Sequence, residues 1–216
     1  MTKLQLRAEK LSLMPGQSAT PSNLCAAIWV EDGHVDVAGQ RLPRAEALDC
    51  GAARCILNPG SASATVILFS LDRDSEAAWE PDDASPSLLL AETIQCDPSR
   101  TILRLDRVTF PPGAVAYRHV HSGPGIRYLT MGALDIQSDA AMHRMRPGNA
   151  WFEDADSPVR ATADAHSVSE FVRVLLLPDS YLGRPTLKRL NPEDFDKPTL
   201  QTNHRYFDTP LSTHIG

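Results

Sequence analysis

The stretch Leu103-Arg104-Leu105-Asp106-Arg107-Val108-Thr109-Phe110-Pro111-Pro112-Gly113 has a near double at Leu6-Arg7-Ala8-Glu9-Lys10-Leu11-Ser12-Leu13-Met14-Pro15-Gly16, where almost every position keeps its chemical type. Working outward, Ala27-Ile28-Trp29-Val30-Glu31-Asp32-Gly33-His34-Val35-Asp36-Val37 matches Ile126-Arg127-Tyr128-Leu129-Thr130-Met131-Gly132-Ala133-Leu134-Asp135-Ile136, and Thr65-Val66-Ile67-Leu68-Phe69-Ser70 matches Phe171-Val172-Arg173-Val174-Leu175-Leu176. Three matches in the same order imply a duplicated unit of roughly a hundred residues. The matched segments are short, rich in Val, Ile, Leu, Thr and aromatics, and bounded by Pro-Gly, Asp-Gly or Met-Gly turns, which is the pattern of antiparallel strands. The 17 prolines and 12 glycines are scattered along the chain and leave little room for long helices. An all-β protein built from two equivalent barrels is expected.

The expected organisation is an N-terminal barrel over residues 1–74, a linker with the first strand of the next unit over 75–98, a C-terminal barrel over 99–183 and an arm over 184–216. The acidic run from Asp72 to Pro86 reads as a solvated connection. In the arm, Pro185, Pro192, Pro198 and Pro210 predict extended chain with one helical turn at Asn191-Pro192-Glu193-Asp194-Phe195. Such an arm is expected to pack across a barrel or a neighbouring subunit.

A chain of 216 residues that is 42% hydrophobic can bury a substantial core. Its formal charge of -6, with no Lys/Arg cluster interleaved with aromatics, argues against nucleic acid as a partner. The first residues carry no apolar run, and no stretch approaches the roughly 18 apolar residues needed to cross a bilayer. A cytoplasmic location without membrane partners is expected. Cys25, Cys50, Cys55 and Cys96 lack C-x-x-C spacing and read as small buried hydrophobes. Neither a Gly-rich phosphate loop nor a Gly-x-Ser-x-Gly elbow is present, so nucleophilic catalysis has no support.

The run Pro112-Gly113-Ala114-Val115-Ala116-Tyr117-Arg118-His119-Val120-His121 places two histidines two residues apart on a predicted strand, where both imidazoles share a face. A converging imidazole pair supplies two ligands to a divalent transition metal, Fe, Mn, Zn, Ni or Cu. By the same alternation Val115 and Tyr117 share the histidine face, and Arg127 and Leu129 share the face of Gly125. Arg127 either clamps an anionic group of a ligand or pairs with an acid at the rim. Tyr117 either donates a proton or fills barrel volume.

Gly113, His119-Val120-His121, Gly132 and Arg146-Pro147-Gly148-Asn149 together resemble the first motif of the cupin superfamily and the turn that opens its second. The resemblance covers residues 102–177 directly and, through the repeat, 6–71, as in a bicupin. It implies tandem double-stranded β-helix (jelly-roll) barrels and a homodimer. It also implies a metal held by three histidines and a glutamate, with dioxygenase, isomerase, decarboxylase, cyclase or lyase chemistry. Two ligand positions depart from the pattern: Gly125 stands where the family has its glutamate, and Pro158 where it has its third histidine. Glu153 is the first candidate to complete a site with His119 and His121, either as third ligand or as base. His143 and His166 are the others. In the first copy the histidine positions fall near Ser22 and Leu24, so that barrel is expected to be structural. The expected function is a metal-dependent, dioxygenase-like oxidoreductase acting on a small organic molecule, with Tyr117 as proton donor and Arg127 as anion binder. The alternatives are a non-catalytic ligand-binding or sensing bicupin, and a cupin isomerase, cyclase or lyase.

Overall fold

A computed structural model describes residues 1–20, 26–51, 56–72, 84 and 86–213. The chain divides into two compact units, Met1–Thr101 with Thr209–Gly216, and Ile102–Asp208. In the first unit the strands are β1 (Thr2–Leu13), β2 (Ala26–Asp32), β3 (His34–Val37), β4 (Gln40–Pro43), β5 (Ala47–Asp49), β6 (Leu57–Asn58), β7 (Ala64–Asp72) and β8 (Ser87–Cys96). In the second they are β9 (Thr101–Phe110), β10 (Val115–His121), β11 (Gly125–Met131), β12 (Leu134–Ser138), β13 (Met142–Met145), β14 (Ala150–Glu153), β15 (Val159–Ala163), β16 (Ser169–Pro178), β17 (Leu187–Arg189) and β18 (Thr202–Pro210). Besides strands, the described residues hold only short 3-10 turns.

The duplication is visible in the sheets. One five-stranded sheet has the order β5-β2-β7-β1-β8 and another the order β14-β11-β16-β9-β18, so each strand of the first has a counterpart in the second. Even the irregularities repeat. The β2–β7 register slips between Val30 and Asp32, and the β11–β16 register slips between Leu129 and Met131. Each bulge ends at a glycine with positive φ, Gly33 at 72° and Gly132 at 73°. A Cβ on Gly33 would stand 2.4 Å from the Ser63 carbonyl oxygen, and one on Gly132 2.3 Å from that of Val168, so both turns admit glycine alone.

Ser87–Cys96, inside the 75–98 stretch read as linker and first strand of the next unit, is hydrogen-bonded to β1 from Thr2↔Cys96 to Lys10↔Ser87. It therefore closes the first sheet as β18 closes the second. Of the acidic run, residues 73–83 and 85 lie outside the described residues, as do Cys25, Cys55, Ser22 and Leu24. Cys50 and Cys96 are buried.

A second sheet faces each of these, β4-β3-β6 in the first unit and β13-β12-β15-β10-β17 in the second. The central strands β7 and β16 are buried along nearly their whole length, as a strand covered on both faces must be. In the first unit Leu11, Leu13, Ile28, Val30, Val66 and Leu68 pack into one core. The second unit has the equivalent cluster of Val108, Phe110, Leu129, Trp151 and Phe171, and beside it the interior stays open. No helix among the described residues is long and apolar enough to cross a membrane.

Candidate functional site

The second unit holds a partly open cavity of about 160 Å³. Val108, Phe110, Ile136, Trp151 and Phe171 give it apolar walls, into which His119, His121, Arg127, Glu153 and Arg173 bring polar groups. All five of these polar side chains are buried.

His119 and His121 approach each other on β10 with 3.2 Å between their Nε2 atoms. Nδ1 of His119 lies 2.7 Å from the Tyr117 carbonyl oxygen, a contact that requires an N–H, so the lone pair of this imidazole is on Nε2. Nδ1 of His121 is buried and finds no partner among the described residues. The protein thus holds neither tautomer of His121. With its proton on Nε2 it donates to His119, and with its proton on Nδ1 both lone pairs converge on one point. Burial first, and then the positive charges of Arg173 and Arg127, lower the pKa of His121 well below 6.5. His119 is lowered as well, chiefly by burial, which the charge of Glu153 partly offsets. Both rings are therefore neutral at neutral pH, the form in which imidazole ligates a metal.

Glu153 ends β14, and its backbone pairs directly with Gly125 on β11. Its Oε2 lies 3.5 Å from His121 Nε2 and 2.8 Å from Arg127 Nη2, while Oε1 accepts a 2.9 Å hydrogen bond from the Trp151 indole. Gly125 itself cannot carry a carboxylate. A Cβ there would stand 2.1 Å from the Val174 carbonyl oxygen across the β11–β16 ladder. The carboxylate beside this position belongs to Glu153, the residue that faces Gly125 across the β11–β14 pair.

Arg127 is fully buried and held by the Gly125 carbonyl oxygen at 2.6 Å and by Glu153, so of its two expected roles the pairing with an acid is present, inside the barrel rather than at its rim. Burial, only partly offset by Glu153, lowers its pKa to about 10. Directly opposite it on β16 is Arg173, whose Nε and Nη2 bind both oxygens of Asp106 at 2.6 and 3.0 Å.

Tyr117 does not line the cavity. A bulge shifts the β10–β15 register between Ala116 and His119, so Ala116, His119 and His121 face inward and the simple alternation that joined Val115 and Tyr117 to the histidines fails. The Tyr117 ring packs instead against Lys197, Arg189 and Arg160, at 4.6, 5.4 and 5.9 Å from its centroid. His143 on β13 and His166 in the turn after β15 are exposed and absent from the cavity, and Pro158 brings no donor. Sequence reasoning missed Arg173, Trp151 and the cavity-facing residues of the arm, Thr199, Gln201, Asn203 and Arg205. The even spacing of these four was a readable signal, since alternate residues of an extended segment share a face.

No protein-family model matches the chain, and no curated protein matches it. Solved structures do. Salicylate 1,2-dioxygenase from Pseudaminobacter salicylatoxidans superposes with a TM-score of 0.54 at 13% identity, over 79% of this chain and 70% of that one. A Nostoc punctiforme protein provisionally described as a dioxygenase gives 0.54 at 15% identity, over 86% and 73%. Protein Ylba from E. coli gives 0.55 at 13% identity, over 79% and 76%. The chain has the cupin fold. Within this fold the histidine pair sits on β10 of the second unit.

Proposed function

We propose that this cupin is a metal-dependent, dioxygenase-like oxidoreductase acting on a small organic molecule, with its site in the second barrel. The observation that carries the reading is the convergence of His119 Nε2, His121 Nε2 and Glu153 Oε2, at 3.2 and 3.5 Å, in a buried cavity. Two ligands about 2.1 Å from one metal ion and at right or tetrahedral angles stand roughly 3.0–3.4 Å apart, so the imidazole pair fits such an ion and the carboxylate lies just beyond that range. Two histidines and one carboxylate form the donor set of non-haem iron oxygenases, and such an ion would supply open positions at which O2 and substrate meet. His119 would be held in its ligating tautomer by the Tyr117 carbonyl oxygen. Arg127 and the Trp151 indole would orient Glu153, and the apolar walls would exclude water from the reaction.

The test measures bound metal and O2 consumption in wild type and in His119→Ala, His121→Ala and Glu153→Gln. The reading expects wild type to hold iron or another transition metal and each variant to lose at least about tenfold in metal affinity. Wild type that stays metal-free after iron loading, or histidine variants that hold as much metal as wild type, would overturn it.

One observation favours a second reading, a non-catalytic binding or sensing barrel. Glu153 is already neutralised by Arg127, and among the described residues no three His, Cys, Asp or Glu side chains form a ready metal cluster. On this reading a ligand raises the melting temperature of chelator-treated protein and of His119→Ala as much as that of untreated protein.

A further inference from the structure

The arm over 199–205 presents Thr199, Gln201, Asn203 and Arg205 to the cavity, every second residue of one extended segment. Asn203 is committed to Asp106 at 3.2 Å, and Arg205 to the Arg184 carbonyl oxygen at 3.4 Å and to Asp208 at 3.3 Å. Thr199 Oγ1 accepts from Arg189 at 2.7 Å. Gln201 differs from its neighbours. Its Oε1 is buried against the cavity and no hydrogen bond reaches it, which leaves an acceptor without a donor. A buried acceptor left unmatched costs stability, and it is matched when a bound molecule brings an N–H or O–H.

Two guanidiniums of the same lining bear on the charge of that molecule. Arg127 and Arg173 stand across the β11–β16 ladder from each other, Arg127 paired with Glu153 and Arg173 with Asp106. Asp106 takes Nε and Nη2 of Arg173 and leaves the Nη1 corner free to bind an anion. The cavity volume of about 160 Å³ sets the size. A cavity of roughly 150 Å³ holds a benzene molecule, so the apolar walls have room for one ring and small substituents.

We propose that Gln201 is a specificity-determining residue, which reads a hydroxyl or amino donor on a small one-ring anion whose charge is met by the Nη1 corner of Arg173. The inference deepens the proposed function by naming the ligand class, but it needs no metal.

The experiment titrates chelator-treated protein with benzoate, the three monohydroxybenzoates, their methoxy counterparts and neutral benzamide, by calorimetry. In wild type one hydroxybenzoate should bind at least about tenfold more tightly than benzoate, the worth of one hydrogen bond to a buried acceptor. Its methoxy counterpart should lose that gain, and benzamide should bind more weakly than benzoate. In Gln201→Met the hydroxyl preference should shrink to about threefold or less while benzoate binds as before. If the variant fails to fold, the hydroxy-against-methoxy comparison in wild type carries the test alone. The proposal is overturned if no ring anion binds, if benzamide matches benzoate, if methoxy and hydroxy compounds bind alike, or if Gln201→Met keeps the preference. None of these results depends on metal content, so the metal reading and this one fail separately.

Discussion

His121 illustrates what burial does to one residue. An unfolded chain protonates its histidines near 6.5, whereas the folded site resists the charge because water is excluded and two guanidiniums are close. The unfolded state therefore binds more protons as pH falls through 6.5, and stability is lost on acidification. In chelator-treated protein the melting temperature should fall between pH 7.5 and 5.5, and a His119→Gln/His121→Gln variant should show a flatter profile over that window. The lowered carboxyls of Asp164 and Asp208 act in the same direction, but their effect begins only below their ordinary value of 3.8, outside the window. Thermal denaturation against pH reads both slopes, and equal slopes would contradict the assignment. Of the residues concerned, the two histidines were legible because their spacing is local. Tyr117 was misplaced because a bulge cannot be read from alternation, and Arg173 went unseen because its role depends on a partner 67 positions away.

At the scale of elements, the arm is more than a trailing segment. Its helical turn forms as expected at Pro192–Asp194, with Asn191 before it. Arg189, on β17, donates to the carbonyl oxygens of Asp194, Phe195 and Lys197 and to Thr199 Oγ1, tying one guanidinium to both ends of that loop. The tie sets where the chain re-enters at Thr199 and so places Gln201 over the cavity. Arg189→Ala should cost this loop about 2 kcal/mol of local stability, given several charge-assisted hydrogen bonds at a partly exposed site. Hydrogen exchange over residues 190–200 should rise accordingly while β9 and β16 keep their protection, and uniform loss of protection would count against a local role. The proline spacing made the extended course of the arm legible. It could not show which strand receives the arm, because the pairing of β17 with β10 joins residues such as His119 and Arg189 that no local pattern connects.

At the scale of the molecule, one barrel holds the histidine pair. In the first barrel Leu11, Leu13, Ile28, Val30, Val66 and Leu68 pack into one core, and the sequence positions matching the histidines fall near Ser22 and Leu24, where no histidine stands. Metal titration should therefore saturate at one ion per chain, and a ratio of two would require a second site in the first unit. The repeat was the most legible feature of all, since matched strands and matched glycines recur in order; its boundary was not, because β8 and β18 share topology without shared sequence. Among the described residues, every sheet draws its strands from one copy alone. A change that empties one copy of its chemistry leaves the strand pairing within the other copy's sheets as it was. Duplication of a self-closing unit in this way permits division of labour: one half can drift into a scaffold while selection keeps refining the other.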